Sequence, residues 1–107
     1  MGARVLAVEP RIKVAVLNLA GFYPAVHHDI HDVHFVPRVT VPVLQFNGLY
    51  DAIFPYETSA KPFFDGLGTP VADKKHVVEP TGHFVSQPVY IGETLDWLDK
   101  YLGVVNR

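Results

Sequence analysis

Apolar positions along the chain come in short runs separated by turn formers. Residues 13–19 (Lys-Val-Ala-Val-Leu-Asn-Leu) read as a strand stopped by Gly21. Residues 42–47 (Pro-Val-Leu-Gln-Phe-Asn) read as a second strand and Lys75 to Glu79 as a third, each closed by glycine or proline. Between them the period changes. Ala60, Phe63, Phe64 and Leu67 sit at i, i+3, i+4 and i+7, which predicts a helix starting near Thr58 or Ser59 so that Pro62 falls in its first turn, with Gly68 placed to cap its end. Pro88 suits the first turn of a last helix, Ile91, Leu95, Leu98 and Leu102 make its apolar stripe, and Gly103 ends it. Residues 3–8 read as the last turns of a further helix ended by Pro10, without a start signal of its own. Strand, helix, strand, helix in this order predicts an α/β architecture of about three parallel strands with flanking helices, joined by right-handed crossovers.

The chain has 107 residues, which allows a single domain over 1–107 with one core. Its formal net charge of −2 excludes the concentrated basic face of a nucleic-acid binder. No cysteine is present, so disulfides, thiol nucleophiles and Cys-ligated zinc are excluded. The N-terminus lacks the apolar run of a signal peptide, and the most apolar stretch, Val14 to Phe22, is about half a membrane span and contains Asn18. The expectation is a cytoplasmic protein without cofactor, nucleic-acid partner or membrane anchor.

In a parallel sheet, functional groups gather beyond the carboxyl ends of the strands. Two segments lie there: Asn47-Gly48-Leu49-Tyr50-Asp51-Ala52-Ile53-Phe54-Pro55 after the second strand, and Pro80-Thr81-Gly82-His83-Phe84 after the third. If those strands are neighbours, about 4.8 Å apart, Asp51 and His83 emerge side by side. A carboxylate held against an imidazole fixes its tautomer and stabilises the imidazolium, which is the base half of a nucleophilic triad. The plainer alternative is a turn aspartate and an incidental loop histidine.

These residues resemble a family. Val41-Pro42-Val43-Leu44 through Gly48-x-x-Asp51-x-x-x-Pro55, then Gly82-His83, is similar to the C-terminal part of an α/β-hydrolase domain of the dienelactone-hydrolase-like and prolyl-oligopeptidase-like kind, some of which are fused to bacterial serine/threonine kinases. The run from Glu93 to Gly103 shares the ending of such domains, and the likeness is strongest over 36–103. The resemblance implies an esterase-like serine hydrolase in which Asp51 is the triad acid and His83 the base.

The departure is the nucleophile. The family carries its serine in a Gly-x-Ser-x-Gly elbow between a strand and a helix, and none exists here. Ser59 and Ser86 are the only serines; Ser59 reads as a helix-start residue and Ser86 as a loop residue ahead of the last helix. By family order the elbow and the oxyanion-hole donors would stand upstream of Gly2. The expectation is an acid-and-base segment with an incomplete triad, not competent alone, which acts on small ester or acyl substrates only when the missing half is supplied.

Two further groups of residues stand out in the sequence. His27, His31 and His34 share helical spacings within His27-His28-Asp29-Ile30-His31-Asp32-Val33-His34 and could bind zinc, nickel or copper if that segment were a helix. The preferred reading is an exposed loop, bracketed by Pro24 and Pro37, where the family often inserts its cap. Tyr50, Phe54 and Phe84 are candidates for a substrate pocket, and Tyr50, Phe54, Tyr56, Phe63 and Phe64 together read more simply as packing between helix and sheet. His76 and Trp97 read as structural. Strand 13–19, apolar and without charge or proline between Val14 and Leu19, would present a bare edge, and the expected partner is a second copy pairing antiparallel to make a six-stranded sheet. A small assembly or binding module built on that edge is therefore the alternative function.

Overall fold

The computed structural model describes residues 2–22 and 31–103. Its elements run α1 (Gly2–Val8), β1 (Ala15–Asn18), β2 (Val43–Gly48), α2 (Lys61–Gly66), β3 (Lys74–Glu79) and α3 (Gln87–Leu102). The strands form one parallel sheet in the order β1-β2-β3, with Leu44 between Val16 and Lys75 and Phe46 between Asn18 and Val77. Every residue of β2 is buried, as a central parallel strand covered on both faces requires.

Alternation along β2 divides the core in two. Val43 faces α1, α2 and the turn Val36–Arg38, where Ala3, Ala15, Val36, Val39, Phe63 and Leu67 pack around it. Leu44 and Phe46 face the other way, against Trp97 with Val16, Val77, Tyr90 and Tyr101 around them. The face of α3 on the sheet is thus Tyr90, Trp97 and Tyr101, not the aliphatic stripe expected from spacing. Ile91, Leu95 and Leu102 are exposed. The large rings reach Phe46 and cover more area than leucines at those positions would.

Helix α2 is preceded by a π-helical turn, Tyr56–Ala60, so the helical path begins at Tyr56 and Pro62 lies in the first turn of α2. Gly68 does not cap the helix, which ends at Gly66. Instead its N–H donates to the carbonyl of Val36 at 3.0 Å, and a methyl there would meet the carbonyl oxygens of Pro37 and Val39. Lys74 Nζ donates to the carbonyl of Phe64 at 3.0 Å, placing a cation at the helix's carbonyl end. Gly103, at φ 84°, ends α3 as expected.

Two polar residues lie within β2. Gln45 Nε2 donates to Asn47 Oδ1 at 2.8 Å and to the carbonyl of Ala60 at 3.2 Å, and Asn47 Nδ2 donates to the carbonyl of Ala20 at 2.8 Å. Asn47 Oδ1 lies 2.7 Å from His76 Nε2, which must carry the proton because the amide oxygen can only accept. His76 also stacks on Phe64 at 4.7 Å. Leu19, at φ 65°, turns the chain out of β1, and the next carbonyl, that of Ala20, meets these amides. His76 is thus part of the packing between β3 and α2. Burial pushes its pKa down to about 4.

Beyond β2 and β3 the two loops touch backbone to backbone. Leu49 N–H donates to the carbonyl of Glu79 at 2.7 Å and Tyr50 N–H to that of Thr81 at 2.9 Å. A methyl on Gly48 would overlap the carbonyl oxygens of Thr81 and Gly82, so only glycine permits this approach. Among the described residues no helix is long and apolar enough to cross a membrane.

Two outcomes are expected. Gly48→Ala destabilises the chain by about 3 kcal/mol in urea titration, because backbone rather than a movable side chain blocks the methyl. His76 gains its proton near pH 4 when folded but near 6.5, its ordinary value, when unfolded. The unfolded state therefore binds more protons between these values, and stability falls as the pH drops through that window. The loss is about 1–2 kcal/mol once the ring's partial contact with water is allowed for, and urea titrations of His76→Phe between pH 6.5 and 4 should show that slope reduced.

Candidate active site

The site begins with Asp51, three residues past the end of β2. Its Oδ1 accepts the N–H groups of Ile53 at 2.7 Å and Phe54 at 3.1 Å, an aspartate turn that closes the loop on itself. Its Oδ2 lies 2.8 Å from His83 Nδ1. The Asp51 side chain is 0% exposed and that of His83 27%. Burial alone would raise the carboxyl pKa, but the Phe54 N–H, the His83 imidazole and the Ile53 N–H together outweigh it and hold Asp51 below its ordinary value. The carboxylate is thus charged, dry and matched by three donors.

His83 is placed by its own loop. Thr81 N–H donates to the carbonyl of Glu79 at 2.8 Å, and the Glu79 carboxylate accepts both the N–H and the hydroxyl of Ser86 at 3.1 Å. Glu79 therefore ties both ends of the loop, from the end of β3 to the start of α3. The Phe54 and Phe84 rings flank the imidazole at 6.1 and 4.9 Å. With Nδ1–H donated to an ionised carboxylate, the neutral ring carries its lone pair on Nε2.

The expected neighbours Asp51 and His83 are hydrogen-bonded. The expected pocket residues divide: Phe54 packs between His83 and Gly21, Tyr50 is 70% exposed, and Phe84, 74% exposed, lines a separate hollow with Asn18, Val85, Gln87 and Tyr90. The hollow beside the Asp51 loop, about 430 Å³, is lined instead by Phe22, His31, Ala52, Ile53, Pro55, Thr58 and Ser59. Composition of the loop could have suggested Ile53 and Pro55, but nothing local to Phe22 or His31 points there.

Both serine hydroxyls are hydrogen-bonded to groups other than His83. Ser59 is buried, its hydroxyl donates to the carbonyl of Phe22 at 2.7 Å, and it lies inside the π-helical turn rather than at a helix start. Ser86, at the start of α3 as expected, gives its hydroxyl to Glu79. The histidine cluster falls partly outside the described residues, which include neither His27 nor His28. His34 ends a short 3-10 turn, Asp32–His34, and His31 precedes that turn, so the two do not share an α-helical face. His31 Nδ1 accepts the Val33 N–H at 3.1 Å and its ring packs on Phe22. Among the described residues no three His, Asp or Glu side chains converge as a metal site.

No family model and no curated protein sequence matches the chain. Solved structures do. A cold-adapted esterase from an Arctic intertidal metagenomic library, solved both zinc-bound and in its native state, is 32% identical with a TM-score of 0.77, and the match covers 94% of this chain. A protein of Thermus thermophilus, at 18% identity and a TM-score of 0.77 over 97% of this chain, shares the fold. The chain spans 44% of the esterase and 50% of the Thermus protein. With three parallel strands between helices and a buried aspartate–histidine pair beyond their carboxyl ends, the chain has the fold of a partial α/β-hydrolase domain.

Proposed function

We propose that the chain is the acid-and-base segment of an ester-hydrolysing α/β-hydrolase, with Asp51 as the acid and His83 as the base. The observation that carries this reading is the 2.8 Å contact between His83 Nδ1 and a fully buried Asp51 carboxylate whose other oxygen is already held by two backbone N–H groups. That arrangement gives an imidazole one tautomer, one orientation and a counter-charge for its protonated form. The likeness to an esterase supports ester bonds as the substrate class.

Both serine hydroxyls are committed elsewhere, so this segment by itself supplies a base without a hydroxyl to activate. Ordinary alkyl esters are then not turned over by the chain alone. Two measurements check the reading. A proton spectrum should contain a far-downfield Nδ1–H resonance that disappears in Asp51→Asn and in His83→Gln; its absence from the parent chain overturns the pairing. A fluorophosphonate probe should leave the protein unlabelled, and labelling at Ser59 or Ser86 overturns the account of the nucleophile.

A second reading, an assembly module, is favoured by the sheet edge. Ala15 N–H and Leu19 N–H donate towards β2, to Pro42 and Phe46, so the alternation of the backbone turns the N–H groups of Val16 and Asn18 to the outer side. No described strand pairs there. Two copies joined antiparallel along β1 would satisfy those groups and continue the sheet across a two-fold axis. Sedimentation at micromolar concentration should then give a dimer that Asn18→Pro, which removes one outer donor, converts to monomer. A parent chain that sediments as a stable monomer overturns this reading.

A further inference from the structure

The free nitrogen of His83 has a use that needs no serine. Because Nδ1–H is held by Asp51, the lone pair stays on Nε2, on a side chain that reaches solvent. Neither serine hydroxyl competes for that nitrogen, since one is hydrogen-bonded to Phe22 and the other to Glu79. An imidazole whose N–H faces a carboxylate is more electron-rich than one in water, and imidazole nitrogen is itself a nucleophile towards acyl carbon. The surroundings favour a flat apolar reactant. Phe54 and Phe84 flank the imidazole as an apolar rim, Tyr50 and Ile53 are exposed in the loop that carries Asp51, and the space beside Gly82 is open.

We propose that the chain catalyses acyl transfer from activated aryl esters to water through His83 Nε2 as the nucleophile. This rests on the Asp51–His83 pairing. The Nε2 lone pair attacks the ester carbonyl carbon; the bond from that carbon to the aryl oxygen breaks, and the electron pair leaves with the phenolate. The resulting N-acylimidazolium keeps its proton on Nδ1, where it is donated to the Asp51 carboxylate. Water then adds to the acyl carbon, the carbon–nitrogen bond breaks and its pair returns to Nε2, and the proton released is taken up by the phenolate or solvent. Ester and water give carboxylic acid and phenol, and His83 is regenerated. Among the described residues no acid is placed for the leaving group and no donors for the oxyanion, so only weakly basic leaving groups depart, which limits the substrates to aryl and similarly activated esters.

The test uses p-nitrophenyl acetate with ethyl acetate as the unactivated control. The parent chain should release p-nitrophenol at least about tenfold faster than N-acetylhistidine at equal concentration, because the apolar rim holds the ring against Nε2. His83→Gln should fall to the solvent background, Asp51→Asn should lose part of the rate, and ethyl acetate should not react. Mass spectrometry of a rapidly quenched sample should place an acetyl group on the peptide containing His83. If His83→Gln is unfolded by circular dichroism, His83→Asn serves in its place. A parent rate equal to that of N-acetylhistidine, or a folded His83 variant as fast as the parent, overturns the proposal. If the downfield resonance is present while the esterolysis is not, this proposal fails alone; if both are missing, the acid–base pairing fails with it.

Discussion

The approach of two loop backbones beyond β2 and β3 is the constraint on which the site depends. Parallel pairing brings Gly48 opposite Glu79, and from there the chains leave the sheet close enough for Leu49 and Tyr50 to hydrogen-bond to Glu79 and Thr81. Glycine at 48 is the condition for that contact. Once the loops are joined, Asp51 and His83, thirty-two residues apart in sequence, are fixed within hydrogen-bonding distance. The pair is therefore a property of the backbone more than of either side chain. Long flexible side chains reaching towards each other would give a weaker geometry, because each would lose rotamer freedom on pairing.

Much of the fold was legible because parallel strands and their crossover helices leave strong local signals. Apolar runs ended by glycine or proline located β1, β2 and β3, and strand order placed Asp51 and His83 beyond neighbouring carboxyl ends. What was not legible depended on which of two apolar sets wins a contact. On α3, the aliphatic positions 91, 95 and 102 keep perfect helical spacing yet lie exposed, because Tyr90, Trp97 and Tyr101 fill the space over Leu44 and Phe46. Spacing fixes that residues share a face; ring size decides which face is covered. Gly68 illustrates the same limit: its sequence position suits a helix cap, but its role is set by the carbonyls of Pro37 and Val39, some thirty residues earlier.

Gln45 and Asn47 could have been noticed as amides in an otherwise apolar strand, though their partners could not. They bind the carbonyls of Ala20 and Ala60 and reach His76 through Asn47, linking the exit from β1 and the middle of β3 to β2 and the turn before α2. Burying amides is costly unless they are paired, so this network is as demanding as it is stabilising. It lies on the α2 face of the same strand ends from which the Asp51 loop departs, and gives those ends a rigid base. Of the histidine segment, the described residues His31 and His34 keep a helical spacing but meet only a short 3-10 turn.

The exposed aromatic rim follows from the same energetics. A buried carboxylate requires donors, and Asp51 obtains them by turning the N–H groups of Ile53 and Phe54 inward and by taking the His83 imidazole. A backbone committed to that task cannot also turn every side chain of the loop into the core. Phe54 finds a place against Gly21 and His83, but Tyr50 and Ile53 point to water, as does Phe84 beside the histidine. Apolar surface left exposed around a charged, desolvated pair is unfavourable for the free chain. Asp51 burial, loop turn and exposed apolar side chains are thus one solution: the donors that keep the carboxylate ionised also decide which side chains of the loop remain in water.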